Sequence, residues 1–122
     1  MDAKKVILAV DDSPENLDLL KSLLTPAYTV KAAINGAMAL KIVEKSLPDA
    51  ILLDVRMPGM DGFDVLRKLR QHDDTSRVPV VFVTGEEDES TRAMAAELGA
   101  VGVLVKPVDP DALNDTLAAC LS

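Results

Sequence analysis

Ala50-Ile51-Leu52-Leu53-Asp54 is an apolar run that stops on a carboxylate, and the residues behind it, Val55-Arg56-Met57-Pro58-Gly59-Met60-Asp61-Gly62, cannot continue a strand. Asp54 therefore stands at a strand's C-terminal end. With no polar alternation, the run predicts a strand buried on both faces of a parallel sheet, and ligands of such sheets collect at the carboxyl edge. Taken alone, Asp54 reads better as an ordinary turn residue, because Asp is common in turns.

Repetition changes that reading. Val6–Val10 ends on Asp11-Asp12, Val80–Val83 on Thr84, and Val101–Val105 on Lys106-Pro107. In a parallel sheet these ends share one edge, with neighbouring strands ~4.8 Å apart. Asp11, Asp12, Asp54, Thr84 and Lys106 then converge on one site.

A chain of 122 residues has the size of one domain, spanning 1–122, and can bury a real core. With 48% hydrophobic and 27% charged residues but only 2% aromatic ones, that core is aliphatic and offers no base-stacking platform. The net charge is −7 and the 13 Lys and Arg are scattered, so the long-range field repels phosphate backbones and argues against nucleic-acid binding. Cys120 alone forms no internal disulfide, and His72 alone supplies no histidine metal cluster. The apolar run behind Met1-Asp2-Ala3-Lys4-Lys5 is too short for a signal peptide or a membrane span, which predicts a cytoplasmic protein without membrane attachment.

Ser13-Pro14-Glu15 starts a helix with Leu17, Leu20 and Leu24 on one face, which Pro26 ends. Tyr28–Ala33 is the second strand, and Asn35-Gly36 opens a helix that turns Ala39, Leu40, Ile42 and Val43 inward before Pro48. Asp61-Gly62 precedes a third helix carrying Phe63, Leu66 and Leu69, and Gln71–Arg77 is a polar linker. Acidic Glu86–Ser90 begins a fourth helix, with a thin apolar face of Ala93, Met94, Ala96 and Leu98 before Gly99. Asp109-Pro110-Asp111 caps the last helix, whose inner side is Leu113, Thr116, Leu117, Cys120 and Leu121. Strands alternating with helices call for right-handed crossovers and a sheet covered on both faces. The fold class is thus α/β, a doubly wound five-stranded parallel sheet in a three-layer sandwich.

Three carboxylates at one edge repel one another, and like charges in contact raise a pKa or recruit a cation. With oxygen donors only, and Lys106 offsetting one charge, magnesium is the expected cation. A carboxylate beside magnesium can attack a phosphoryl group, while the metal, Lys106 and the Thr84 hydroxyl serve its oxygens. The chain has no Gly-rich dinucleotide fingerprint, P-loop, Gly-x-Ser-x-Gly elbow or Cys/His metal spacing.

Asp11-Asp12-Ser13-Pro14, Leu53-Asp54-Val55-Arg56-Met57-Pro58-Gly59-Met60-Asp61-Gly62, Val83-Thr84-Gly85 and Val105-Lys106-Pro107 occur in an order and spacing that are highly specific. On these motifs the chain resembles the receiver domain of two-component response regulators over essentially its whole length. The resemblance implies a flavodoxin-like (βα)5 fold with strand order 2-1-3-4-5. It implies that Asp54 accepts a phosphoryl group from a histidine kinase or a histidine phosphotransfer protein. Asp12, Asp54 and the Arg56 backbone carbonyl would bind Mg2+, with Asp11 acting through water. Thr84 and Lys106 would contact the phosphoryl oxygens, and the Lys106-Pro107 bond would be cis. The partners downstream would be a protein or an output domain, and the chain a monomer or a phosphorylation-dependent dimer.

Where the family often carries Tyr or Phe, three residues before the lysine, this chain has Val103, so an aromatic rotamer switch cannot operate there. In the family the residues two beyond the acceptor Asp and two beyond the Thr flank the path of the attacking water. Here they are Arg56 and Glu86, whose opposite charges predict an ion pair across the mouth, worth ~0–1 kcal/mol. The rival to a switch is a magnesium-dependent phosphatase or phosphotransferase with an Asp nucleophile. Against it stand the short loops, the lack of room for a cap domain, and Arg56 where such enzymes carry a second Asp.

Overall fold

Residues 4–85 and 88–121 are described by a computed structural model of the chain. Strands β1 (Val6–Val10), β2 (Thr29–Ala33), β3 (Ala50–Asp54), β4 (Val80–Thr84) and β5 (Gly102–Val105) alternate with helices α1 (Pro14–Leu24), α2 (Gly36–Lys45), α3 (Gly62–Arg70), α4 (Glu89–Glu97) and α5 (Pro110–Leu121). The strands form one parallel sheet in the order β2-β1-β3-β4-β5. The flavodoxin-like expectation therefore holds.

Side-chain alternation along the central strands divides the core into two layers. Leu8, Val10, Ile51, Leu53, Val80 and Phe82 pack against α2, α3 and α4 through Ala39, Val43, Val65, Leu66, Leu69 and Ala95. Ile7, Ala9, Ala50, Leu52, Val81 and Val83 meet α1 and α5 through Leu17, Leu20, Leu24, Leu113 and Leu117. Every residue of β3 and β4 is buried, as the unbroken apolar runs require, whereas edge strand β5 is only half-buried.

Local chemistry sets the helix starts. Ser13, Asn35, Asp61 and Asp88 each accept a hydrogen bond from a backbone N–H of the first turn they cap. Asp61 and Asp64 form a reciprocal capping box, which ties the start of α3 to the loop that follows Asp54.

Three expectations need correction. Tyr28 is outside β2 because its N–H still donates to Leu24 O, closing the turn after α1. Val101 is an exposed residue just before β5. The buried residues of α4 are Thr91 and Ala95, with Met94 and Leu98 half-buried, while Ala93 and Ala96 face outward. The face at positions 91, 94, 95 and 98 follows helical spacing, and it passes through a threonine that a search for apolar residues skips.

Gly62 is required by space. A Cβ there would lie 2.3 Å from Asp54 O and 3.0 Å from Val55 Cα, both backbone atoms. Gly85 has nothing within 4 Å of the equivalent position. Gly62→Ala is expected to destabilise the protein by ~1–3 kcal/mol through overpacking, and Gly85→Ala to have a much smaller effect. Urea denaturation midpoints measure both, and equal midpoints for the two variants would contradict this packing account.

Candidate functional site

The register aligns the expected site residues along the carboxyl edge. Val10 pairs with Leu53, which places Asp11 level with Asp54, while Asp54 pairs with Val83 and Thr84 with Val105. Asp11, Asp12, Asp54, Thr84 and Lys106 therefore follow or end neighbouring strands. Asp11 is 1% exposed, Asp54 4% and Thr84 1%, whereas Asp12 is exposed. One carboxylate oxygen from each of the three Asp residues lies within 4.8 Å of the other two. Among the described residues this is the one such grouping of His, Cys, Asp and Glu. Its donors are all oxygens, so it can hold a hard divalent cation.

Lys106 reaches across β4 and β3 to the acidic pair. Its Nζ is 2.8 Å from Asp11 Oδ2 and 3.5 Å from Asp54 Oδ1, so its closer partner is Asp11. The Lys106 N–H donates to Thr84 O at 2.8 Å, and the Lys106-Pro107 peptide is cis. Two further donors were not singled out from the sequence. Ser13 N–H donates to Asp11 Oδ1 at 2.9 Å, an Asx turn readable from an Asp two residues before a helix cap. Asn16 Nδ2 donates to Asp11 Oδ2 at 3.3 Å, and no spacing rule announces that contact.

Burial pushes the Asp54 carboxyl up from 3.8 to about 6, and the charge of Asp11 adds to the effect. The Lys106 charge and a hydrogen bond from the Arg56 backbone N–H pull the other way without prevailing. For Lys106, burial opposes the charged form, but its hydrogen bond to Asp11 and the fields of Asp54 and Asp11 outweigh burial and raise its pKa.

Arg56 lines an open cleft with Phe63, Ser90, Thr91 and Met94, between the β3–α3 loop and α4. The Asp88 carboxyl is lowered first by the Thr91 N–H, then by the Thr91 and Ser90 hydroxyls, and also by the Arg56 charge. Glu86, the expected partner of Arg56, lies outside the described residues.

The raised Asp54 pKa has a stability consequence whose sign is fixed. The folded state favours the protonated carboxyl, so this stabilisation is complete below 3.8 and is lost as pH rises through about 6. In metal-free protein, wild type is expected to lose ~2 kcal/mol relative to Asp54→Asn between pH 4 and 7. Thermal or urea denaturation of both proteins across that range measures the gap. A gap that stays constant with pH would contradict the burial argument.

The comparisons with known proteins agree with this arrangement. The chain is 46% identical over 104 residues to the response regulator PleD of Caulobacter vibrioides, covering 84% of this chain but only 23% of that protein. It is 36% identical over 117 residues to protein PilH of Pseudomonas aeruginosa, covering 95% of this chain and 97% of PilH. The chemotaxis protein CheY4 of Vibrio cholerae superposes with a TM-score of 0.92 at 34% identity, covering 98% of this chain and all of that one. The model of the response regulator receiver domain matches residues 7–118, a span that takes in all of the strand-end residues converging on Asp54. The chain belongs to that family, the phosphorylation-dependent switches of two-component signalling.

Proposed function

We propose that Asp54 is the phosphoacceptor, that Mg2+ is the cation of the acidic site, and that phosphorylation alters which protein the domain binds. The observation that carries this reading is the convergence of three carboxylate oxygens within 4.8 Å, with Lys106 Nζ 3.5 Å from Asp54. Asp12, Asp54 and the Arg56 carbonyl are the direct ligands in this reading, and Asp11 acts through water. A divalent cation there supplies positive charge to the phosphoryl oxygens.

The chain's own groups do the rest. An Asp54 carboxylate oxygen attacks phosphorus on a phosphohistidine, and the O–P bond forms as the P–N bond breaks. The electron pair stays on the donor imidazole. Lys106 and the Thr84 hydroxyl then donate to the phosphoryl oxygens, and Lys106 already stands against Asp54 before any phosphoryl group arrives. Donors fixed where charge develops need no rearrangement at the moment of reaction.

Residues 1–122 are read here as one cytoplasmic receiver unit, served by a histidine kinase or histidine phosphotransfer protein and acting on a downstream protein or output domain. No helix among the described residues is long and apolar enough to cross a membrane. In this reading the domain takes up one phosphoryl group and does not turn over a metabolite.

Incubation with acetyl phosphate and Mg2+ should load wild type to at most one base-labile phosphoryl group per chain. Asp54→Asn should take up none while remaining folded. Sustained release of phosphate over many turnovers would favour the enzymatic alternative, and a labelled Asp54→Asn would move the acceptor elsewhere.

Mg2+ should also raise the melting temperature of wild type, since it binds only the folded site, and raise that of Asp12→Asn much less. An equal shift in both proteins would remove Asp12 from the metal site.

A further inference from the structure

Asp11 is nearly sealed from solvent, and each of its oxygens is engaged by the protein. Oδ1 takes the Ser13 N–H at 2.9 Å, while Oδ2 takes both Lys106 Nζ at 2.8 Å and Asn16 Nδ2 at 3.3 Å. A buried carboxylate is costly unless donors surround it. That constraint falls on Lys106, which holds Asp11 at the shorter distance yet must donate to a phosphoryl group on Asp54. Moving the ammonium toward Asp54 leaves Oδ2 dependent on whatever other donor it has.

That donor is Asn16. It stands in the first turn of α1, where its backbone N–H is held by Ser13 Oγ at 3.4 Å whatever its side chain does. Its amide is thus free of a capping task and faces Asp11. Asn16, Lys106 and Asp11 line one cavity of about 310 Å3.

We propose that Asn16 is a positioning residue for phosphoryl transfer. It secures Asp11 Oδ2 so that Lys106 can shift from Asp11 to the phosphoryl oxygens without leaving a buried carboxylate short of a donor. The inference rests on the reading of Asp54 as acceptor. An amide suits the task because it donates without adding charge: a cation at position 16 would compete with the metal, and a carboxylate would repel Asp11.

The test compares wild type, Asn16→Ala, Asn16→Asp and a control on the exposed side of α1, Asp18→Ala. Two readouts are taken: the rate of labelling by acetyl phosphate at saturating Mg2+, and Mg2+ affinity measured separately. Asn16→Ala is expected to slow labelling about tenfold, the scale of losing an outer-shell partner, with Mg2+ affinity unchanged. Asn16→Asp has the same shape, and a carboxylate in a helix's first turn is favourable, so the helix is retained. Its labelling should nevertheless be slower than that of Asn16→Ala. Asp18→Ala should match wild type in both readouts.

A third readout needs no metal and no phosphoryl donor. Because Asn16 and Lys106 share one oxygen, the stability losses of Asn16→Ala and Lys106→Ala in metal-free protein should not add in the double variant. Additive losses, wild-type labelling by Asn16→Ala, or a fall in its Mg2+ affinity parallel to the fall in rate would each overturn the assignment. A wild type that takes up no phosphoryl group at all would instead overturn the acceptor reading, and this one with it.

Discussion

Like charge held at short range is the constraint on which the site depends. The sheet delivers Asp11 and Asp54 to adjacent strand ends in buried positions, and Asp12 brings a third carboxylate oxygen within 4.8 Å of theirs. Water cannot screen the two inner charges, so the protein supplies Lys106, Asn16, and the backbone N–H groups of Ser13 and Arg56. These donors do not fully offset burial, as the raised Asp54 pKa shows. A site left in that condition gains from whatever brings positive charge to it. The fold around it is closely packed: two buried strands, a glycine with no room for a Cβ against Asp54, and a capping box just beyond.

The sequence reveals the site because its residues follow strand ends, and strand ends are visible wherever an apolar run stops. Asp11, Asp12, Asp54, Thr84 and Lys106 were all legible in this way. The sheet order was not, since periodicity says nothing about which strands are neighbours; it came from family likeness. Lys106's closer bond to Asp11 was hidden for a different reason: a four-carbon stem spans two strands, and its end point depends on the path of the loop. Asn16 shows the same limit, because its contact runs back five residues from a helix to a strand end. The inner face of α4 departs from its apolar pattern because Thr91, a polar residue, takes a buried position, while Ala93 and Ala96 carry too little apolar surface to demand burial.

At the edge of the sheet next to Thr84, β5 lies against α4. Val103 pairs in register with Phe82 and packs half-buried against the same core layer, so that layer's aromatic content is the edge-to-face pair of Phe63 and Phe82, with ring centroids 5.2 Å apart. α4 buries little of its own surface and is held at its C-terminal end by Arg70, which donates to the carbonyls of Leu98, Gly99 and Val78. A short helix fixed at one end and sparsely packed along its length belongs with the low-stability elements from which moving parts are drawn. Its other end begins at Asp88, within the field of Arg56, two residues beyond Asp54.

The central claim is that the carboxylate of Asp54, and no other, forms the acyl phosphate. Borohydride reduces an acyl phosphate to the alcohol, so protein labelled with acetyl phosphate and Mg2+, reduced and sequenced by mass spectrometry, carries a permanent mark at the acceptor. The account predicts homoserine at position 54 and unmodified Asp at positions 11 and 12. Reduction at Asp11 or Asp12, or at a carboxylate away from the sheet's carboxyl edge, would contradict it.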